Sequence, residues 1–390
     1  MKFKVFSKIR FFFLIYSVMI FSACHDSDKI EPEYGERTVL IYMAADNNLN
    51  KDGETNIKSI LKGMEQTAGR LVIYIDPRYD VPRLLTVKGG KGCRLDTLET
   101  YTEENSASPE VLARVVQEVQ KRYPASSYGL VLWSHGLGWV PPEYSFPGGY
   151  AMRLPDPDMP RTKYYAEDEH PRTTGKAYMD IREMAARLPG HFNFILWDVC
   201  FMGGIEVAYE LRNKTDYLIA SPAEVISDGF PYEKIVPLLW GGEEAMKQIC
   251  REYYNHYNKY PVNSLWRSAV VGLVKTGELE PLAAKVRTLL AGKTDYARAW
   301  HYPLNQGGLP MVFDFGDYIR KMTTEEEYNS FKKLLDRVVI YKAATEKLFG
   351  DEVPADKFSG LTSYIPFSEW SDMNTYYYTL DWGATVYENN

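Results

Sequence analysis

The chain has 390 residues, 45% of them hydrophobic, with 45 basic and 52 acidic side chains and a net charge of −7. So large an apolar share is ample material for a core, and the acidic balance argues against nucleic acid as the main partner. A basic or polybasic substrate suits this charge better.

The chain opens on a targeting segment. Lys2, Lys4, Lys8 and Arg10 form a basic start, Phe11 to Phe21 an apolar run too short for a comfortable membrane span, and Phe21-Ser22-Ala23-Cys24 a site like a bacterial lipobox. Residues 1–23 are therefore expected to be a lipoprotein signal peptide, with Cys24 acylated and the exported chain anchored to the outer membrane, facing the periplasm or the cell surface. An ordinary secretory signal with an incidental Cys24 is the plain alternative. Residues 24–37 read as a polar tether. Residues 1–24 hold four basic and no acidic side chains, so their removal takes the net charge from −7 to −11.

The elements that follow alternate. Apolar runs and helical periodicity predict strand 38–44, helix 54–67, strand 70–76, a hairpin arm near 83–98, helix 109–122, strand 128–133, helix 178–188, strand 192–198, helix 204–213 and strand 216–220. Ser108-Pro109 supports one of these helices as cap and first-turn proline, with Leu112, Val115, Val116 and Val119 as its buried stripe. Past residue 245 helices dominate, at 246–256, 280–291 and 325–348, before a last strand near 361–365. Strands alternating with helices predict an α/β fold, a mainly parallel sheet flanked by helices. Residues 38–245 are the expected core, and residues 246–390 a largely helical subdomain that completes it.

Two of these strands end in reactive side chains. The run Phe192 to Asp198 delivers Cys200 just before a glycine pair and a helix, where free amides and the helix dipole are expected to lower the thiol pKa from about 8.5. The run Tyr128 to Trp133 delivers His135, followed by Gly136 and Gly138. In an open parallel sheet, residues at the carboxyl ends of neighbouring strands share one crevice. A lone cysteine after an apolar strand is ordinarily an inert core thiol; a histidine in a glycine-rich turn beside it suggests a Cys/His site. Cys200 would attack a peptide carbonyl, His135 would move the proton, and the backbone N–H groups of Gly136 and Cys200 would hold the oxyanion.

Trp133-Ser134-His135-Gly136-Leu137-Gly138-Trp139 and Asp198-Val199-Cys200-Phe201-Met202 resemble the His-Gly and Asp-Ala-Cys motifs of the clostripain-like cysteine peptidases, relatives of caspases, gingipains and legumains. Val39 to Leu49, Ala220 to Glu224 with Gly229 to Tyr232, and Ser359 to Pro366 resemble further segments of that family. The resemblance implies a caspase-like fold and a peptidase acting on protein or peptide substrates. Asp198 alternates onto the same face as Cys200; in the resembled family an acid here helps bind a basic side chain before the cut bond, which implies Arg or Lys at P1. Asp228 is a second candidate for that pocket. The resemblance also implies self-cleavage at basic residues between His and Cys, here within Val140 to Lys176, which carries Arg153, Arg161, Lys163, Arg172 and Lys176. An ordered surface insertion is the bland reading of that segment. Ser134 departs from the Asp common beside the family's histidine.

Other signals are weaker. Asp46 to Gly53 alternates oxygen-bearing side chains but fails the calcium-loop pattern, with Lys51 at the required glycine and Ile57 at the bidentate glutamate; a turn and helix N-cap are expected instead. No zinc spacing, nucleophile elbow or phosphate loop occurs, so no metal ligand is assigned and no cofactor is required, although members of the resembled family can use calcium. With Cys24 acylated, Cys93, Cys200 and Cys250 form an odd set, leaving at least one thiol unpaired within the chain. The chain is taken as a monomer. A reading of a different class is a catalytically silent surface binding protein on the same fold, suited by 30 tyrosines and 8 tryptophans.

Overall fold

A computed structural model of the chain describes residues 35–141, 158–163, 179–261, 263–305 and 312–387. The expected signal peptide, Cys24 and most of the 140–176 segment lie outside these residues. The elements are β1 (Gly35–Ala45), α1 (Asn50–Met64), β2 (Arg70–Pro77), β3 (Arg83–Lys88), β4 (Asp96–Thr100), α2 (Pro109–Arg122), β5 (Ala125–Trp133), α3 (Ile181–Arg187), β6 (Phe192–Asp198), α4 (Ile205–Glu210) and β7 (Thr215–Ala220). They continue as α5 (Tyr232–Ile235), α6 (Glu243–Asn258), β8 (Val270–Lys275), α7 (Leu279–Leu290), β9 (Phe313–Asp314), α8 (Phe315–Met322), α9 (Glu325–Val338) and β10 (Val339–Ala344). Last come β11 (Lys347–Leu348), β12 (Asp351–Glu352), β13 (Thr362–Ser363), α10 (Ser371–Tyr377) and α11 (Asp381–Tyr387).

One sheet of nine strands runs through the molecule in the order β10-β8-β7-β6-β5-β1-β2-β3-β4. Its centre, β7-β6-β5-β1-β2, is parallel, and antiparallel strands extend it at both sides. Parallel strands lie between helical layers and so are apolar on both faces, as Val39 to Met43 and Phe194 to Leu196 are here. One group of helices links α1, α5 and α6; another links α2, α3, α4, α11, α7 and α9. Ser108 caps α2, accepting from the amides of Glu110 and Val111, and its predicted stripe of Leu112, Val115, Val116 and Val119 is buried. No helix among the described residues is long and apolar enough to cross a membrane.

Three elements past residue 245 differ from expectation. The predicted helix 325–348 stops at Val338, and the β-branched and aromatic run Val339-Ile340-Tyr341 turns into edge strand β10, antiparallel to β8. A short apolar run fits either state locally, and the open edge of β8 decides it. The predicted last strand shrinks to β13, which pairs with β9 outside the main sheet and hangs from Gly203 through the Thr362 amide at 3.0 Å. Val270–Lys275 is not among the predicted elements, yet it forms β8 inside the sheet, so residues beyond 245 share the core of the earlier strands. Residues 33–390 form one compact unit.

Candidate active site

The parallel strands β1, β5 and β6 all end at the same edge, and the turns that follow them meet there. Cys200 lies two residues past β6 and is fully buried. Its Sγ accepts the Val225 N–H at 3.1 Å and faces the Val225 carbonyl at 3.7 Å. Phe201 has φ +62°, a left-handed conformation costly for a non-glycine, and such strain gathers at functional turns. The expected lowering of the thiol pKa does not occur in this form. Burial pushes Cys200 well above the usual thiol range, reinforced by Glu224, and the Val225 amide and the Lys163 charge offset only part of this. Helix α4 begins only at Ile205, too far along for its dipole to outweigh the loss of solvent.

His135 lies two residues past β5. The Ser134 hydroxyl donates to the Ala44 carbonyl at 2.9 Å, fastening this turn to the end of β1. His135 Nε2 lies 2.8 Å from Asn48 Oδ1, and Nδ1 is buried without a partner. Burial lowers the ring pKa to about 3; the Lys163 backbone opposes this, and the Lys163 and Arg161 charges add to it. The imidazole is therefore neutral. Gly136 lies directly against the Cys200 turn: a β-carbon there would stand 2.4 Å from Val199 Cγ1 and 3.4 Å from the Cys200 carbonyl, so only glycine fits.

Between the two turns lies a tripeptide of the chain itself, Arg161-Thr162-Lys163. It pairs with 225–227 as an added strand: the Ser227 amide donates to Arg161 O at 2.9 Å, the Lys163 amide to Val225 O at 2.8 Å, and Thr162 bridges Ile226 in antiparallel sense. Thr162 Oγ1 donates to Glu224 at 2.6 Å. The Lys163 carbonyl accepts from the Gly136 amide at 3.4 Å. Its ammonium is entirely buried, 2.8 Å from Asp198 Oδ1, 3.2 Å from the Asp198 carbonyl and 4.2 Å from the centre of the Trp133 ring. The other Asp198 oxygen accepts from the Tyr232 hydroxyl at 2.9 Å and the Phe230 amide at 3.3 Å. Gly229, at φ +72°, leaves room for this pair, since a β-carbon there would stand 2.4 Å from Asp198 Oδ2. Burial pulls the Lys163 pKa down and the Asp198 charge pulls it back. An ammonium this deep is tolerable only with such a counter-charge.

Of the predicted site residues, Cys200, His135, Gly136 and Asp198 converge. Asp228 stands beside them but faces elsewhere: its carboxylate takes the Tyr260 hydroxyl at 3.4 Å and its carbonyl the Asn56 side-chain amide at 3.0 Å. Burial, with Asp52 nearby, raises its pKa. Arg153, Arg172 and Lys176 fall outside the described residues. Asn48 and Trp133 lie in segments that resemble the family, but nothing in the sequence gives them a role; they enter through contacts that only the fold makes. Asn47 shapes the turn after β1, its Oδ1 taking the Leu49 amide at 2.9 Å; the N-cap of α1 is Leu49, which offers no side-chain bond. Cys93, Cys200 and Cys250 are all free thiols.

Asp46, Asp76 and Glu103 each bring one carboxylate oxygen within 4.8 Å of the others. An all-oxygen set of this kind suits a hard cation such as calcium, which would brace the turn after β1 and supply no reacting group. Burial pushes Asp76 up to about 8, so a proton fills the same electrostatic need at neutral pH.

A mixed sheet with a cysteine turn and a histidine turn at the ends of adjacent parallel strands defines the caspase-like class of cysteine proteases. A profile of the clostripain family matches residues 41–382, and the chain belongs to that family. It is similar to an inactive zymogen C11 protease from Parabacteroides distasonis, at 35% identity and TM-score 0.75, over 91% of this chain and 99% of that one. It is also similar to a secreted C11 cysteine protease from Bacteroides thetaiotaomicron in complex with an irreversible peptide inhibitor, at 28% identity and TM-score 0.73, over 90% and 99%. Clostripain from Hathewaya histolytica is 25% identical over 234 residues, 53% of this chain; the match spans 42% of that relative's length.

Proposed function

We propose that this chain is an exported cysteine endopeptidase that hydrolyses peptide bonds after Lys or Arg through Cys200 and His135, and that it cuts itself after Lys163. The observation that carries this reading is the placement of Lys163, with its ammonium on Asp198 and its carbonyl at the Gly136 amide. A peptide substrate would lie the same way, extended beside 225–227 with a basic side chain in the same pocket.

The two pKa shifts suit a reaction that starts from neutral partners. His135 Nδ1 takes the thiol proton as Cys200 Sγ bonds to the carbonyl carbon, and the resulting oxyanion is held by the N–H groups of Gly136 and Cys200. The carbon–nitrogen bond then breaks while the imidazolium gives its proton to the departing amine. Water, deprotonated by His135, attacks the thioester and releases the acid, restoring the thiol. In the uncleaved chain Lys163 fills the pocket, so outside substrates must wait for its departure.

The reading includes an N-terminal anchor, with acylated Cys24 holding a monomer at the outer membrane; loss of radiolabelled palmitate from a Cys24→Ala variant checks it. The peptidase reading is tested by mass spectrometry after exposure to an acyloxymethyl ketone peptide with P1 Lys or Arg. One adduct on the wild-type chain, none on Cys200→Ala and none with P1 Asp or Leu is the expected result. A folded, homogeneous sample that takes up no probe, with or without calcium, favours instead a silent binding protein on this fold.

A further inference from the structure

The structure assigns Asn48 as the residue that positions the catalytic imidazole, fixing its tautomer and its angle from the side away from the reaction. This inference rests on the Cys200/His135 reading. Asn48 Oδ1 lies 2.8 Å from His135 Nε2. An amide oxygen only accepts, so the hydrogen sits on Nε2 and the lone pair on Nδ1. Nδ1 is buried and makes no hydrogen bond of its own, the Lys163 backbone lies close enough to the ring to favour its charged form, and the amide of the next residue, Gly136, holds the Lys163 carbonyl. The bond from Asn48 thus leaves free the one nitrogen that can take a thiol proton and return it to a leaving amine. Without that bond, a neutral ring would divide between two tautomers and rotate about its side chain.

The turn that presents Asn48 is itself locked. Asn47 donates to the Ala44 carbonyl at 3.0 Å and accepts from the Leu49 amide at 2.9 Å, while Leu49 is buried as the turn enters α1. The Ser134 hydroxyl ties the histidine turn to that same Ala44 carbonyl. Asn48 and His135 therefore project from two turns fastened to one point. The Asn48 side chain is exposed and fills no core space, so packing does not account for it. An amide, unlike a carboxylate, orients the ring without adding charge. The charged groups around the ring are Lys163 and Arg161 of the inserted tripeptide, and Arg161 is paired with Asp52 of α1 at 2.6 Å. The Cys200 turn packs against Gly136, the residue after the ring, its carbonyl 3.4 Å from where a Gly136 β-carbon would stand.

The experiment compares wild type, Asn48→Ala and Asn48→Asp as processed full-length chains on a peptide with P1 Lys. Asn48→Ala is expected to lower kcat by roughly 100-fold with KM within about twofold, because the pocket is untouched and the ring is misplaced. Asn48→Asp should restore orientation and move the limb of the kcat/KM pH profile that titrates His135 upward by about one unit or more, since a carboxylate favours the imidazolium. Nitrogen NMR of labelled histidine should find the Nε2–H tautomer in wild type and a mixture in Asn48→Ala. An unchanged kcat in Asn48→Ala, or an unmoved pH profile in Asn48→Asp, overturns the assignment. Failure of the peptidase reading looks different: wild type itself then takes up no probe and turns over no peptide.

Discussion

Asp198 and Asp76 stand at the same edge of the same sheet, one closing β6 and the other one residue from the end of β2, and both are buried, at 0% and 1% exposure. They are neutralised in different ways. Asp198 holds the Lys163 ammonium and two hydrogen-bond donors. Asp76 is surrounded by acids, Glu103, Asp46 and Glu104, with a Ser106 hydroxyl as its stabilising contact, and burial pushes it up to about 8 so that it keeps a proton. Any carboxylate at this edge must be compensated, since an isolated buried charge is prohibitive. What differs is how the compensating group can leave. The Asp76 proton comes from solvent and returns to it as pH rises, whereas on the proposed self-cleavage the lysine on its separate segment would leave Asp198 and turn a salt bridge into a pocket for cations.

The comparison is tested most severely by breaking the Asp198 pair. Asn at 198 keeps the shape and removes the counter-charge, so the uncleaved Asp198→Asn chain should lose about 3–5 kcal/mol of stability in urea denaturation. The processed variant should lose about a thousandfold in kcat/KM on P1 Lys peptides. Lys163→Met should destabilise the uncleaved chain by a similar amount and leave it a single band on prolonged incubation. Combining the two should recover most of the loss, because no unpaired charge remains, and a double-mutant cycle measures that coupling directly. Additive losses in the double variant would mean that the two side chains are not a pair.

A pH-dependent effect is expected at Asp76. Its folded value of about 8 lies above the ordinary 3.8, so between those pH values the folded chain holds a proton that the unfolded chain has released. Stability contributed by this group is therefore present at low pH and falls as pH rises, by up to about 1.4 kcal/mol per pH unit. Asp76→Asn should flatten the decline of melting temperature between pH 5 and 8. Calcium held by Asp46, Asp76 and Glu103 would compete with that proton and raise the wild-type melting temperature more at pH 8 than at pH 5. A slope unchanged in Asp76→Asn would show that the proton is not held there.

Much of this edge was legible in sequence because its strands are local. Apolar runs ending in His135 and Cys200 declare both the parallel strands and the crevice they share, and alternation alone places Asp198 on the cysteine's face. The occupant was not legible. Arg161-Thr162-Lys163 has no periodicity, and its partner at 225–227 lies more than sixty residues on, so only the assembled sheet edge reveals that Lys163 reaches Asp198. The thiol pKa failed for a related reason: a turn near a helix start is a local feature, but burial under Lys163 and beside Glu224 is a property of the whole fold. The end of α9 at Val338 belongs with these, since the open edge of β8 recruits the residues that follow.

The mildest prediction concerns Ser134, where the resembled family commonly has aspartate. Its hydroxyl donates to the Ala44 carbonyl at 2.9 Å and thereby ties the histidine turn to β1. Ser134→Ala should cost about 0.5–1.5 kcal/mol, the net worth of one such bond, and leave KM on P1 Lys peptides unchanged. Ser134→Asp is the sharper variant. A carboxylate cannot donate to Ala44, and residue 134 is only partly buried, so it would stay ionised without the cation that Asp198 has or the proton that Asp76 keeps. Beside His135 that charge should raise the ring's pKa from the low value set by burial and by Lys163 and Arg161. The two variants thus separate the tether from the charge. Equal stability loss with a pH profile displaced only in Ser134→Asp is the expected pattern, and identical profiles in both would show that His135 is insulated from residue 134.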